Sequence, residues 1–177
     1  MVGVLATASC TDAPVDKVLS PQDAHHIRPP RFDCSLYGSP ISGCQNPSLP
    51  NSAQMAMIAR AMERARVSSS FNCQLLVSSM NMMKDYTYFV PTIWSMSSGG
   101  STVQAMGDHH YAAPGSQEQI HMAMGYSATY VFSDLRLQNT YAHEAWHSFT
   151  TNDAEAQNIA DECLPVSGVP PGPPPPT

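Results

Sequence analysis

The pentapeptide His143-Glu144-Ala145-Trp146-His147 places two histidines four residues apart, with a glutamate directly after the first. In an α-helix, positions i and i+4 lie on the same face, so both imidazoles can bind one zinc ion at about 2.0–2.1 Å. Glu144 would then stand beside the open coordination position, where a carboxylate can act as a general base. The pattern therefore predicts a helix with a metal site on one face.

The residues around this pentapeptide favour a helix. Asn139 is a suitable N-cap residue, and no proline or glycine interrupts the chain between it and Phe149. Ala142, Trp146 and Phe149 recur at helical spacing, so they form an apolar stripe that can pack into a core. The alternative is a half-buried helix whose two histidines make ordinary hydrogen bonds. We favour the metal-binding interpretation.

A catalytic zinc site usually has three protein ligands and one open position, so a third ligand is expected further along the chain. The candidates are Asp153, Glu155 and Glu162. The run Thr150-Thr151-Asn152 is poor in helix-forming residues. It predicts that one helix ends there and that a second begins with Asn152 as its N-cap.

The helical period distinguishes the three acidic residues. At about 100° per residue, Asp153 shares a face with the apolar positions that follow it, whereas Glu155 and Glu162 point to the opposite face. Glu155 also stands three residues after Asn152, which is the spacing of a capping box and gives it a structural role. Asp153 is therefore expected to face the first helix. The positions that share its face are Ala156, Gln157, Ala160, Cys163 and Leu164.

The two-histidine motif, followed after a short turn by Asp153-x-x-Ala156-x-x-x-Ala160, resembles the zincin metallopeptidases over about residues 139–163. Within them it is most similar to small bacterial gluzincin-like members, whose third, acidic ligand lies on the next helix. The resemblance implies His143 and His147 as zinc ligands, Glu144 as the base and Asp153 as the acidic ligand. Asp153 also has the ten-residue spacing from His143 seen in metzincins, but Thr150 replaces the glycine that metzincins need.

The order of predicted elements indicates an α+β fold. A helix is expected over residues 51–66, strands over 71–77 and 86–94, and a loop over 97–101. Alternation over 119–124 and the apolar run 130–132 indicate further strands. The resemblance implies a zincin-like fold, with a small mixed or antiparallel sheet, an active-site helix and a following C-terminal helix. It also implies that a strand before the motif forms the sheet edge lining the cleft.

Other polar residues are candidates for stabilising an oxyanion. Zincins commonly use a tyrosine or histidine for this purpose, and His109, His110, Tyr111 and Tyr126 are the candidates here. The alternative for the His109-His110-Tyr111 run is an exposed loop, where such residues are common, and we favour it.

The cysteines predict two disulfides and an exported protein. Cys10 ends an apolar, small-residue run that resembles the end of a bacterial lipoprotein signal peptide, so it is a candidate for lipidation. The four remaining cysteines are an even number, which is typical of oxidising compartments. Because Cys34 and Cys44 bracket a short loop rich in turn-forming residues, we expect them to pair, and Cys73 to pair with Cys163.

Composition divides the chain into regions. We expect a signal or lipobox remnant at 1–10, a proline-rich tether and cysteine-stapled loop at 11–48, a zincin-like catalytic domain at 49–164, and a proline-rich disordered tail at 165–177. No segment has the roughly 18 apolar residues of a membrane span, so membrane association would require a lipid anchor.

Charge excludes one class of partner. The net charge is −6, with only eight Lys and Arg residues, so no basic patch is available for nucleic acid. Only 12% of residues are charged, well below the typical quarter, and such a surface is common outside the cytoplasm.

The sequence therefore predicts an exported zinc-dependent hydrolase, most specifically a metallopeptidase that acts on peptides or proteins through a zinc-bound water activated by Glu144. The alternative is a non-catalytic extracellular surface or filament protein that self-assembles and retains a zincin-like metal-binding domain. The low surface charge and the proline-rich tail suit this alternative.

Overall fold

The computed structural model describes residues 47–98, 101–111, 118–127 and 129–166. These residues contain four α-helices and seven β-strands, which confirms the predicted α+β class. The helices are α1 Ser52–Arg66, α2 Phe71–Met83, α3 Asp134–Trp146 and α4 Asp153–Cys163. The strands are β1 Thr87–Val90, β2 Trp94–Ser98, β3 Ser101–Ala105, β4 Gly107–His110, β5 Gln119–Ala123, β6 Gly125–Ser127 and β7 Tyr130–Val131.

Helix α1 confirms the prediction for residues 51–66. The Asn51 side chain accepts a hydrogen bond from the Gln54 backbone N–H, and the Gln54 side chain accepts one from the Asn51 N–H. This reciprocal capping box satisfies two N–H groups that a helix start leaves without partners. The helix then buries Ile58, Ala61 and Ala65 completely, at a spacing of three or four residues.

Helix α2 overturns the predicted strand over residues 71–77. Its buried residues Cys73, Leu76, Ser79, Met80 and Met83 recur every three or four positions, which is the helical period and not the period of two of a strand. The pattern becomes clear only when the segment is extended to Met83, because the first seven residues include too few buried positions to establish a period.

Strands β1, β5 and β4 form a mixed sheet in that order, with β5 in the centre. β1 runs parallel to β5 and β4 runs antiparallel to it. All five residues of β5 are buried, so the strand predicted from alternation is in fact covered on both faces. Among the described strands, β4 lies at an edge of this sheet.

The segment predicted as one strand over 86–94 is two strands, because Pro91 lies between β1 and β2. Proline lacks the N–H that a sheet interior needs, and it commonly marks the end of a strand. The predicted loop over 97–101 is also wrong in part, since Ser97 and Ser98 belong to β2, and Ser101 belongs to β3. Backbone pairing in this hairpin does not require apolar side chains. Small polar residues, which are typical of loops, therefore form part of these strands.

Helix α3 packs against α1, α2, α4, β4 and β5. The fully buried Tyr141 hydroxyl donates a 2.7 Å hydrogen bond to the Met80 carbonyl, and the Ser79 hydroxyl donates one of 2.6 Å to the Ala145 carbonyl. Both bonds join α3 to α2 and satisfy polar groups inside the core. The helix that carries the histidine motif is thus fixed from several sides.

A disulfide joins Cys73 of α2 to Cys163 of α4, as predicted. The predicted Cys34–Cys44 pair and the lipidation candidate Cys10 lie outside the described residues, as do the region 1–10, nearly all of 11–48 and the tail from 167 onward. Within the described ranges, no helix combines the length and the apolar character that a bilayer crossing requires.

Replacing both Cys73 and Cys163 by alanine is expected to lower the free energy of unfolding by about 2–4 kcal/mol. The bond spans a sequence separation of 90 residues, so its removal enlarges the conformational freedom of the unfolded chain. Urea unfolding under oxidising conditions, followed by tryptophan fluorescence, measures the change. Equal unfolding midpoints and slopes for the wild type and the double variant would contradict this expectation.

Candidate metal centre

Helix α3 begins six residues before the predicted start. Ser133 is the N-cap, and its side chain accepts a hydrogen bond from the Arg136 N–H. Asn139, which was predicted to be the N-cap, is buried inside the helix, where its amide donates to Asp161 and to the Leu164 carbonyl. Its polar side chain therefore joins α3 to α4, and the early start gives the motif a longer supporting helix.

The two motif histidines present the same ring nitrogen to one another. Nε2 of His143 and Nε2 of His147 are 3.2 Å apart. Two nitrogens bound to one tetrahedral zinc ion at about 2.0–2.1 Å would be separated by about 3.3 Å. One potential ligand atom from each of His143, Glu144 and His147 lies within 4.8 Å of the others. The observed spacing therefore suits a shared metal ion.

The tautomer of His147 follows from its hydrogen bond. Its Nδ1 lies 2.9 Å from the Thr150 carbonyl oxygen, which can only accept, so Nδ1 must carry the proton. In the neutral ring, Nε2 is then free of a proton and directs its lone pair towards His143. This is the tautomer that a metal ligand bound through Nε2 needs.

His143 is also suited to be a neutral ligand. Burial lowers its pKa, and the neighbouring His147 lowers it further, although Asp153 acts in the opposite direction. Its Nδ1 is buried and has no hydrogen-bond partner within the described part of the chain. A proton on Nδ1 would leave Nε2 available for a metal ion.

Glu144 is almost completely buried beside these rings, with 6% of its surface exposed. Burial raises the pKa of its carboxyl well above the ordinary range, and the negative charges of Asp108 and Asp153 act in the same direction. The backbone N–H of His109, which faces the carboxyl, opposes this effect. A carboxylate whose pKa is raised is a stronger base than an ordinary glutamate.

Gly107 makes room for this carboxyl. A Cβ atom at residue 107 would lie 2.7 Å from Cγ and 2.8 Å from Cδ of Glu144, which is closer than Cβ atoms in real proteins approach non-bonded atoms. The absence of a side chain therefore lets the edge strand β4 lie directly against the glutamate.

The residues that follow Gly107 at alternate positions also face α3, because side chains alternate along a strand. His109 Nδ1 donates a 2.7 Å hydrogen bond to the Glu144 carbonyl, and its Nε2 lies 3.2 Å from a carboxylate oxygen of Glu118. Burial lowers the pKa of His109, against the opposing influence of its hydrogen bond to Glu144 and of the Glu118 charge. Tyr111, just after β4, donates to the Thr150 carbonyl at 3.1 Å.

Asp153 lies at the first position of α4, and Asn152 is the N-cap as predicted, since its side chain accepts from the N–H groups of Ala154 and Glu155. Oδ1 of Asp153 is 3.2 Å from Nε2 of His147. Its side chain is 90% exposed and borders the cleft described below. The structure thus places Asp153 next to one of the two imidazoles.

The other two acidic candidates lie elsewhere. Glu155 accepts hydrogen bonds from the Thr150 hydroxyl at 3.0 Å and from the Trp146 indole at 3.3 Å. The Asn152 N–H donates to the Thr150 hydroxyl, so Glu155 stabilises the turn through Thr150 and does not form the second half of the expected capping box. Glu162 is exposed and does not border the cleft.

The motif residues His143, Glu144 and His147, together with Asp153, border an open cleft of about 600 Å³. One wall is formed by residues 104–109 and Tyr111, and the other by residues from α3, α4 and the turn between them. Gly107 and Gln157 belong to this lining but were not identified from the sequence. The alternate spacing of Gly107, His109 and Tyr111 is the signal that could have indicated them as one face of a strand.

Two of the four oxyanion candidates do not border the cleft. His110 lies on the other face of β4 and stacks on His121 at a ring distance of 6.3 Å. Tyr126 packs edge-on against Phe132 at 4.8 Å. His109 and Tyr111 do border the cleft, although the hydrogen bonds given above engage both side chains with α3 or the following turn.

The described residues thus form an α+β domain with a candidate metal centre of His143, Glu144 and His147 in a cleft beside an edge strand. Neither family models, nor curated proteins, nor solved structures match this chain. The interpretation of the site therefore depends on its own geometry and chemistry.

The buried Glu144 carboxyl is expected to make stability depend on pH. Because its folded-state pKa lies above the ordinary value of 4.5, the folded protein retains a proton that the unfolded chain releases. Its contribution to stability is complete below pH 4.5 and is lost as pH rises through the folded-state pKa. In chelator-treated protein, Glu144→Gln should therefore gain stability relative to the wild type as pH rises from about 5 to 8.

The measurement is the free energy of urea unfolding for both proteins across this range. His109, His121 and His143 have lowered pKa values and affect stability in the opposite direction, but both proteins contain them, so the difference curve isolates residue 144. Glu162→Gln is the exposed control. A flat difference curve for Glu144→Gln would show that the carboxyl titrates normally.

Proposed function

We propose that this protein is a zinc-dependent hydrolase and, most specifically, a metallopeptidase with a zincin-like active site. The observation that carries the proposal is the 3.2 Å approach of the two Nε2 atoms of His143 and His147, with the buried Glu144 next to them in an open cleft. Two imidazoles and an acidic group are typical zinc ligands, and an open side is typical of a catalytic site.

His143 and His147 would hold the zinc ion through Nε2, and Asp153 would be the third ligand. The 3.2 Å separation of Asp153 Oδ1 from His147 Nε2 supports this assignment, because it resembles the separation of the two histidine nitrogens. When bound, zinc would polarise the scissile carbonyl and lower the pKa of the attacking water.

Glu144 would be the general base. Its carboxylate would accept the proton of the attacking water, and the resulting carboxylic acid would donate it to the departing amine. Burial raises the pKa of this group and so makes its carboxylate a stronger base, and a bound cation would oppose the shift. Gly107 lets the opposite wall of the cleft lie directly against this carboxyl.

The edge strand β4 supports a peptide substrate. The Ala123 N–H donates to the Met106 carbonyl at 2.8 Å, which fixes the alternation of hydrogen bonds between β4 and β5. By that alternation, the backbone groups of Gly107 and His109 point away from β5. Because the His109 N–H faces the Glu144 carboxyl, an extended peptide could pair with the backbone groups of Gly107 and with the His109 carbonyl, and pass in front of the histidines, as in other cases of strand addition.

The disulfide between Cys73 and Cys163 supports export, because such bonds persist in oxidising compartments. A non-catalytic surface or assembly protein would bind zinc in a structural site, and such a site is closed by a fourth protein ligand. The open cleft favours the catalytic interpretation.

Glu144→Gln is expected to retain one zinc ion per chain and to lose peptide hydrolysis by at least about 100-fold, because glutamine cannot accept the proton. Metal analysis, together with cleavage of a peptide library with and without chelator, checks both expectations. Glu162→Gln should hydrolyse at the wild-type rate. Wild-type activity in Glu144→Gln would refute this mechanism, and wild-type protein with zinc but no cleavage would favour the non-catalytic alternative.

Asp153→Ala is expected to weaken zinc binding by about 100-fold or more, because a catalytic zinc site with two protein ligands lacks a charge and a donor. Competition with a chromogenic chelator measures the dissociation constant. Glu155→Ala should mainly lower thermal stability by loosening the turn, and Glu162→Ala should change neither property. If Glu155→Ala or Glu162→Ala loses zinc and Asp153→Ala retains it, the third ligand is not Asp153.

A further inference from the structure

Tyr111 has an unusual place in the cleft. Its hydroxyl lies 3.1 Å from the Thr150 carbonyl oxygen and 3.3 Å from Nδ1 of His147. The same Nδ1 lies 2.9 Å from that carbonyl oxygen. These three atoms form a compact triangle behind the His147 ring, on the side away from His143.

The three atoms can share two protons in one consistent way. The Thr150 carbonyl accepts from both the Tyr111 O–H and the His147 Nδ1–H, and the tyrosine oxygen offers a lone pair to the same Nδ1–H. A tyrosine phenol ordinarily titrates near pH 10, so the hydroxyl carries its proton at neutral pH and can donate it to the Thr150 carbonyl. Every group in the triangle therefore favours the proton on Nδ1 of His147.

Thr150 belongs to the turn between α3 and α4, and Tyr111 directly follows the edge strand β4. The hydroxyl thus joins the strand to the turn that orients His147. His109 makes a parallel connection two residues earlier, through the Glu144 carbonyl. The Tyr111 bond holds the Thr150 carbonyl from the strand side, whereas Glu155 holds the Thr150 hydroxyl from α4.

We propose that Tyr111 is a positioning residue, whose hydroxyl holds the Thr150 carbonyl against Nδ1 of His147 and so keeps Nε2 free of a proton and directed at the metal position. An oxyanion-stabilising role would require the hydroxyl on the Nε2 side of the ring, where a substrate carbonyl would bind. The observed contacts place it on the opposite side.

The effect on the tautomer does not depend on the proposed function, whereas the effect on metal affinity rests on it. Tyr111→Phe removes only the hydroxyl, and Tyr130→Phe is the matched control because Tyr130 is 57% exposed on β7 and does not border the cleft. The first measurement is the ¹⁵N chemical shift pattern of His147 in chelator-treated protein at pH 8, which reports its tautomer. The second is Co²⁺ affinity by chelator competition, and the third is the melting temperature.

Wild type and Tyr130→Phe are expected to show His147 protonated on Nδ1 alone. Tyr111→Phe should show a mixture of tautomers and a Co²⁺ affinity about 10-fold weaker, with an unchanged melting temperature, because outer hydrogen-bond partners of metal ligands typically contribute 10–100-fold to affinity.

Two results would overturn the proposal: an unchanged tautomer in Tyr111→Phe, or a change in affinity accompanied by an equal loss in Tyr130→Phe. A wild-type protein that shows the expected tautomer but does not bind Co²⁺ would refute the proposed metal function and leave the positioning role of Tyr111 supported. Failure of the proposed metal function can therefore be told apart from failure of the positioning role of Tyr111.

Discussion

The backbone of β4 lies against the carboxyl of Glu144 with no side chain between them, because residue 107 is a glycine. This contact removes water from the carboxyl, and the loss of water is the first cause of its raised pKa. A side chain at residue 107 would push the sheet edge and α3 apart at this point. His109 and Tyr111 can reach the helix and the following turn only because the strand is already this close.

The site combines rigid and open parts. On one side, α3 packs against α1, α2, α4 and the sheet, and it carries His143 in its last turn and His147 at its C-cap. On the other side, Asp153 stands at the exposed start of α4. The cleft thus combines two imidazoles on a supported element with one exposed carboxylate at its rim.

Local signals in the sequence predicted much of this arrangement. The pairing of His143 with His147 follows from helical spacing, and the caps at Asn51 and Asn152 follow from side chains that bond their own backbone. The predictions that were wrong or missing concern residues whose partners are distant in the sequence. Asn139 resembles a cap, but its amide satisfies groups of α4, and no local pattern reveals which strand borders α3. The role of Gly107 depends on Glu144, which lies 37 residues away in the sequence, so only the folded structure could identify it.

The bond between Cys73 and Cys163 encloses the entire candidate site, because the edge strand, the histidine motif and Asp153 all lie between the two cysteines. A single cut of the backbone anywhere in that interval would leave two fragments that remain covalently joined. A nicked molecule would therefore migrate as one species until it is reduced, and the strand and helix that form the cleft would stay tethered to each other after cleavage.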